Sequence, residues 1–161
     1  MLSVPFYYAL LLFCWVYSLL KGGAPERIGT TILVAGSLLS LLAVSGPTTS
    51  FGSVEIGVFL ADVATLVAFL ILALFADRYW PLWIAALQVL GTTGHAVKLA
   101  DPDLMRRAYA VALVFWSYPM LAILALGTYR HQRRLARFGV DRSWSSFSGR
   151  SATPPGVGPT S

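Results

Sequence analysis

The sequence predicts an all-α fold, a polytopic membrane bundle of five transmembrane helices with short loops and a basic tail. Its 161 residues are 57% hydrophobic and only 12% charged, with a mean hydropathy of +0.69. A soluble domain carries roughly a quarter charged residues, so a chain this apolar is expected in a membrane. Five apolar segments approach the length of about 20 residues that a spanning helix needs. Lysine and arginine residues flank these segments unevenly.

The predicted spans cover residues 4–20, 28–45, 54–75, 81–99 and 108–128. The first two are short, so flanking residues are expected to extend them. Pro25 and Pro81 suit the first turn of a helix, where no amide proton is needed. Because the connections are short, consecutive helices are expected to run antiparallel within one transmembrane domain, residues 1–129. The first segment lacks a positively charged start and a clear cleavage site, which favours a permanent span over a signal peptide.

The positive charges predict the orientation. Of the 12 lysine and arginine residues, nine lie on the flanks that share a side with the C-terminal tail and three on the opposite flanks. The nine are Lys21, Arg27, Arg78, Arg130, Arg133, Arg134, Arg137, Arg142 and Arg150. Positively charged flanks stay in the cytoplasm. We therefore expect the N-terminus outside the cytoplasm and the C-terminus inside it.

The tail, residues 130–161, divides into two parts. Its first part, RHQRRLARFGV, is basic with apolar residues interleaved, so it is expected to continue the last helix and to bind anionic lipid headgroups. The arginines predicted to make this contact are Arg130, Arg133, Arg134 and Arg137. Nucleic acid is the rival partner for a basic patch, but the position directly after a span favours lipid. Beyond about residue 141 the tail is rich in Ser, Gly and Pro, which predicts disorder.

No motif for catalysis or for a cofactor is recognisable in the chain. It lacks a phosphate-binding loop, a dinucleotide glycine motif, a serine elbow and a zinc-protease motif. The two histidines, His95 and His131, are predicted at opposite sides of the membrane, which argues against haem. We therefore expect no enzyme activity, no cofactor and no metal.

The third and fourth predicted helices carry polar residues in the half that faces away from the tail. Gln88, Thr92 and His95 follow three- and four-residue steps, so they share one face of the fourth helix. At roughly 1.5 Å per residue, Asp62 lies at about the same depth as this stripe. We therefore predict that Asp62 contacts His95 or Thr92 and that these four residues form an intramembrane polar site.

Two interpretations of this polar site stay open. An intramembrane carboxylate costs about 2.5–3.5 kcal/mol on insertion scales and marks a candidate functional site. A contact between Asp62 and His95 that only stabilises helix packing explains the same residues, and packing is the preferred interpretation. Glu55 and Lys98 are predicted to form an ion pair at the rim, although a lysine near a helix end commonly extends to the headgroups without a partner.

Pro119 lies inside the fifth predicted span, within FWSYPM. Proline removes an amide donor and obstructs the preceding turn, which predicts a kink. A ligand pocket behind this kink is one possibility, and aromatic packing is the alternative.

Four segments carry a resemblance to a known family: GGAPER, DRYWPLW, GHAVKLADPD and AYAVALVFWSYPM. Over roughly residues 20–135 the chain resembles a family of small, uncharacterised, multi-pass bacterial inner-membrane proteins. The resemblance implies a location in the bacterial inner membrane, and the N-terminus that the charges place outside the cytoplasm would then be periplasmic. It implies no activity.

Three classes of function remain. The preferred one is an accessory, assembly or scaffold component of a larger membrane complex, with a membrane-protein partner or a second copy of the chain. The second is a small oligomeric transporter or channel that uses Asp62 and His95. The third, an enzyme that acts on lipid, has the least support. The variant Asp62→Asn separates the first class from the second. If it disturbs only the assembly of a complex, the accessory role is favoured over the transporter.

Overall fold

The computed structural model describes the backbone of residues 4–45, 51–100, 106–141 and 143–144, and the side chains of residues 5–44, 56–97, 116–141 and 143–144. This part of the chain forms five α-helices and no β-strand, which confirms the all-α prediction. The helices are α1 Val4–Lys21, α2 Ala24–Ser45, α3 Phe51–Phe75, α4 Trp80–Ala100 and α5 Arg106–Phe138.

Local sequence explains several helix ends. Pro25 and Pro81 each occupy the first turn of their helix, α2 and α4, as predicted. After α5, Gly139 adopts a φ of +69°, and its amide donates to the carbonyl oxygen of Leu135 at 2.9 Å. Glycine closes a helix in this left-handed conformation because it has no Cβ to clash.

All five helices extend beyond the apolar segments from which they were predicted, α2 and α5 the furthest. α2 begins at Ala24 rather than at residue 28, and α5 continues through the basic segment to Phe138 rather than ending at residue 128. An apolar run marks the part of a helix that suits a bilayer, whereas polar residues with good helix propensity continue the helix past it. The continuation of α5 into the basic segment was expected, and α5 also runs through Pro119.

The helices form a closed ring. Each helix packs against the next along the chain, α5 also packs against α1, and α2 contacts α5 across the ring. Consecutive helices are antiparallel, so α1, α3 and α5 finish at the end where α2 and α4 begin. We call this the basic end, because Lys21, Arg27 and Arg78 lie there.

Glycines of α2 lie where this helix meets its neighbours. A Cβ built on Gly29 would come within 2.4 Å of a ring carbon of Trp80. A Cβ on Gly36 would come within 2.4 Å of the hydroxyl oxygen of Thr65. The absence of a side chain at Gly29 makes room for the indole of Trp80, and at Gly36 it lets α2 approach α3 closely, as small residues do in membrane helix packing.

Polar side chains are buried in the bundle, while large apolar side chains point outward. The buried polar residues are Ser18, Glu26, Thr30, Thr65, Gln88, His95, Thr128 and His131. Exposed apolar residues occur on every helix, among them Phe13, Leu42, Leu74, Trp83 and Leu126. Large exposed apolar surfaces are unusual for a soluble monomer and signal contact with another apolar phase or a partner.

Two helical segments of the described chain are long and apolar enough to cross a membrane, Ala24–Val44 in α2 and Ile56–Phe75 in α3. α1 is apolar but shorter over Pro5–Lys21. These segments indicate membrane association on length and composition alone. The prediction of five spans also requires α1, α4 and α5 to cross the membrane, and it stays a prediction for these three helices.

Candidate functional site

The polar centre of the bundle consists of Asp62 on α3 with Gln88 and His95 on α4. Nε2 of His95 lies 3.0 Å from Oδ2 of Asp62. The side-chain amide of Gln88 donates to Oδ1 of Asp62 at 3.1 Å and to its backbone carbonyl oxygen at 3.3 Å. The contact predicted between Asp62 and His95 is therefore present, and Gln88 supplies a second donor to the same carboxylate.

Helix geometry explains why one carboxylate receives both donors. Gln88 and His95 are seven residues apart, which is about two helical turns, so both side chains leave α4 on the face that meets α3. Thr92 lies between them on this face, but its hydroxyl donates to the backbone carbonyl oxygen of Gln88 at 2.8 Å. The hydrogen bond of Thr92 thus stays within α4, and of the two predicted partners it is His95 that contacts Asp62.

The polar centre borders a central cavity of about 310 Å³ that is lined by residues of all five helices. Aromatic residues of α1 and α5 contribute to its wall, namely Tyr7, Tyr8, Trp116 and Tyr118. Gly91 of α4 also lines the cavity, and a Cβ built on it would meet no atom within 4 Å. The cavity therefore has open space beside the polar centre.

One hydroxyl at the cavity wall, that of Tyr118, has no hydrogen-bond partner in the part of the chain that the structure describes. The hydroxyl of Tyr7 shares a hydrogen bond with Oγ of Ser37 at 3.1 Å, and its ring stands edge-on to that of Tyr118 with the centroids 5.9 Å apart. The hydroxyl of Tyr118 is buried and has no partner among the described residues. Burying a hydroxyl without a partner is costly, so this position suits a bound molecule that completes the hydrogen bond. Tyr118 directly precedes Pro119, in the region where the sequence places a possible pocket.

The predicted rim pair, Glu55 with Lys98, lies on α3 and α4, but both side chains fall outside the described residues. Their ion pair therefore stays a prediction.

The arginines predicted to bind lipid headgroups all lie on the basic part of α5. Arg130, Arg133 and Arg137 are exposed there, as headgroup contact requires. Arg134 is partly exposed and donates from Nε to Oδ1 of Asp141 at 2.9 Å. Arg134 thus has a protein partner that the sequence analysis did not anticipate.

A second charged cluster, which sequence reasoning missed, is buried at the basic end. Arg78, in the turn between α3 and α4, bridges two carboxylates: its Nε lies 3.4 Å from Oε1 of Glu26 and its Nη2 lies 2.5 Å from Oδ2 of Asp141. Nδ1 of His131 lies 2.6 Å from the same oxygen of Asp141, and the indole of Trp80 donates to Oε1 of Glu26 at 3.2 Å. We call Glu26, Arg78, His131, Arg134 and Asp141 the basic-end cluster.

Hydrogen bonds and charge hold Asp141 in its ionised form. Burial alone would raise the pKa of this carboxyl, but hydrogen bonds from His131 and Arg134 and the charge of Arg78 outweigh it, so the pKa is lowered. A lowered folded-state pKa stabilises the fold above the ordinary aspartate value of about 4. That contribution is lost only when the pH falls through the lowered value. The cluster is therefore intact at neutral pH.

The chain after α5 folds back onto the turn between α3 and α4. The backbone amide of Asp77 donates to the carbonyl oxygen of Ser143 at 3.3 Å, and Ala76 forms an isolated antiparallel bridge with Trp144. Disorder was predicted from about residue 141, and residues 145–161 lie outside the described residues. The sequence held only weak signals for the buried pair Glu26 and Arg78. Glu26 is a single acidic residue at the start of α2, and Arg78 is a single arginine in a short turn.

The comparisons with known proteins assign no function to the polar centre or to the basic-end cluster. No protein-family model matches the chain, and no curated protein or solved structure is significantly similar to it. The resemblance carried by four sequence segments therefore brings no activity with it, and the function has to be argued from the site.

Proposed function

We propose that the protein is a multi-pass membrane protein whose helices enclose a binding site for a small solute, as a small transporter or solute-binding protein does. The observation that supports this most is the central cavity, whose lining includes both the Asp62 side chain and four aromatic residues. Ligand sites are concave, mostly apolar and fitted with a few convergent polar groups. Ionisable residues inside a membrane commonly mark a substrate or ion pathway.

Five spans are part of the proposal. The apolar outer surface of all five helices and the polar interior suit a bundle surrounded by lipid, where backbone and side-chain polar groups must find partners inside. α2 and α3 meet the length and composition expected of spans. A ring in which α1, α4 and α5 pack against α2 and α3 as antiparallel neighbours would carry those three helices across the bilayer with them.

The proposed orientation places the basic end in the cytoplasm of a bacterial inner membrane. Nine of the 12 lysine and arginine residues favour it. Reporter fusions after Gly23 and Arg78 should report the cytoplasm, and fusions after Gly52 and Asp103 the periplasm. A cytoplasmic signal at Asp103 would rule out the five-span arrangement.

An accessory role in a membrane complex, the preferred prediction from sequence, remains a second proposal. The exposed apolar side chains on every helix support it, since they suit a membrane-protein partner as well as lipid. Deletion of the protein should then reduce the amount of a partner complex. The cavity has no part in this role, which is why we rank it second.

Filling the cavity tests the solute-binding proposal. We expect a screen of small solutes to find one that raises the thermal stability of the purified wild-type protein, by about 2.7 kcal/mol at a concentration of 100 times its Kd. Gly91→Leu should abolish this stabilisation, because Gly91 is buried at the cavity wall with open space beside it. Thermal unfolding in detergent measures both.

Ala86→Leu is the matched control, since it adds a similar bulk to an exposed position of the same helix. It should bind like the wild type. If a solute stabilises the Gly91→Leu variant as much as it stabilises the wild type, it binds outside the cavity. If every solute found in the screen behaves in this way, the proposal is refuted.

A further inference from the structure

The charged residue types in the described lining of the central cavity are few, and His95 is the imidazole that stands beside its one carboxylate. Among the described residues that line it, Asp62 is the only aspartate or glutamate, and none is lysine or arginine. His95 Nε2 and Gln88 Nε2 approach one oxygen each of its carboxylate. A carboxylate offers about four lone-pair positions, so part of its accepting capacity remains. The carboxylate side chain is 22% exposed, which leaves it reachable from the cavity.

Four aromatic residues line another part of the wall. Tyr7 and Tyr8 come from α1, and Trp116 and Tyr118 come from α5. The face of an aromatic ring attracts a cation, and cages of such rings recognise substituted ammonium groups. The hydroxyl of Tyr118, for which the described residues offer no partner, adds an acceptor for an N–H or O–H group of the same ligand.

From these observations we infer that the cavity binds a small organic cation, a substituted ammonium whose charge is met by Asp62 and whose alkyl groups lie against the aromatic rings. This inference rests on the proposed solute-binding function and names the class of solute. The volume of about 310 Å³ is at the lower end for ligand pockets, so the ligand is small.

Other classes of solute fit the cavity less well. An anion would meet the Asp62 carboxylate with no lysine or arginine of the described lining to offset the repulsion. Calcium and magnesium prefer six or more oxygen ligands and zinc four ligands from Cys, His or a carboxylate, and the described residues hold no group of three His, Cys, Asp or Glu side chains placed for a metal ion.

A pair of probes with the same shape and different charge tests the inference. Choline is the cation, and 3,3-dimethyl-1-butanol replaces its quaternary nitrogen with carbon. Binding to the purified full-length protein is measured from the shift in thermal stability over a range of probe concentrations. We expect choline to bind the wild type. The neutral alcohol should bind at least about tenfold more weakly, because it lacks the positive charge that the Asp62 carboxylate and the aromatic ring faces attract.

Two variants locate the effect. Asp62→Asn keeps one oxygen that accepts from Gln88, and its amide nitrogen can donate to Nε2 of His95 in the other imidazole tautomer. The variant should therefore fold like the wild type, while its affinity for choline falls at least about tenfold because the negative charge is gone. Asp77→Asn removes an exposed carboxylate outside the cavity and should leave choline binding unchanged. Equal losses in the two variants would overturn the inference, because the effect would then be one of overall charge.

The outcomes separate the inference from the function on which it rests. If the alcohol binds as tightly as choline, or if choline does not bind, the assignment of an organic cation is wrong. If a neutral or anionic solute is instead blocked by Gly91→Leu, the cavity still binds a solute and only its class has to be revised. If Asp62→Asn binds choline like the wild type, Asp62 serves helix packing alone.

Discussion

Replacing Arg78 with methionine is expected to lower the free energy of unfolding by about 3–5 kcal/mol, the cost of removing one partner from a buried ion pair. Arg78 is 6% exposed and stands between the carboxylates of Glu26 and Asp141, which are 0% and 6% exposed. The variant leaves Glu26 buried without its cation, since its other side-chain donor is the neutral indole of Trp80. Asp141 keeps His131 and Arg134. Unfolding of the purified protein by titration with a denaturing detergent measures the change.

Two further variants show whether the loss comes from the buried charge. Arg27→Met removes an exposed arginine nearby that donates to the carbonyl oxygen of Gly22, so its cost should stay below about 1.5 kcal/mol. The double variant Glu26→Gln/Arg78→Met should recover part of the loss, because the uncompensated carboxylate is gone. If Arg78→Met costs no more than Arg27→Met, the cluster does not stabilise the fold.

Depth along a helix was enough to predict the polar centre. The apolar runs locate α3 and α4, short connections make them antiparallel, and a rise of 1.5 Å per residue then places Asp62 and His95 at similar depths. The rotation of each helix follows from its polar stripe, because polar side chains turn away from lipid. These local patterns therefore predict a contact between residues 33 positions apart in the sequence, at 3.0 Å in the structure.

The basic-end cluster could not be predicted in the same way. Asp141 lies after the end of α5, and it reaches Arg78 because the chain reverses direction at Gly139 and returns to the turn between α3 and α4. No periodicity in the sequence encodes such a return. A count of charges assigns Arg78 and Arg134 to the membrane surface, although both donate to a carboxylate of the protein.

The sequence raised a pocket behind Pro119 as one possibility, but it could not predict which residues form the wall of the cavity. Its wall combines residues from all five helices, so its existence depends on how α1 and α5 are rotated and how far they stand from α3 and α4. Tyr7 and Tyr118 lie in segments of α1 and α5 that are rich in aromatic and apolar residues. These segments have no polar stripe from which the inward face of the helix could be predicted. Only their contact in the structure shows that these two rings share the space next to Asp62.

The central claim is that α4 faces lipid on one side and a solute-accessible cavity on the other. Two adjacent residues test it, because successive side chains on a helix point about 100° apart. Leu90 is 49% exposed on the outer surface, whereas Gly91 is buried at the cavity wall. In a Cys14→Ala background, Leu90→Cys and Gly91→Cys each provide one thiol for labelling in native membranes.

The decisive measurement is the rate at which a small, positively charged, water-soluble methanethiosulfonate labels each of these two cysteines. The reaction requires a thiolate, which does not form in lipid. Our account predicts rapid labelling of Gly91→Cys and almost none of Leu90→Cys, with choline slowing the first reaction. The reverse result, a reactive residue 90 and an inert residue 91, would show a bundle with water outside and a closed interior, and would contradict both the membrane location and the solute site.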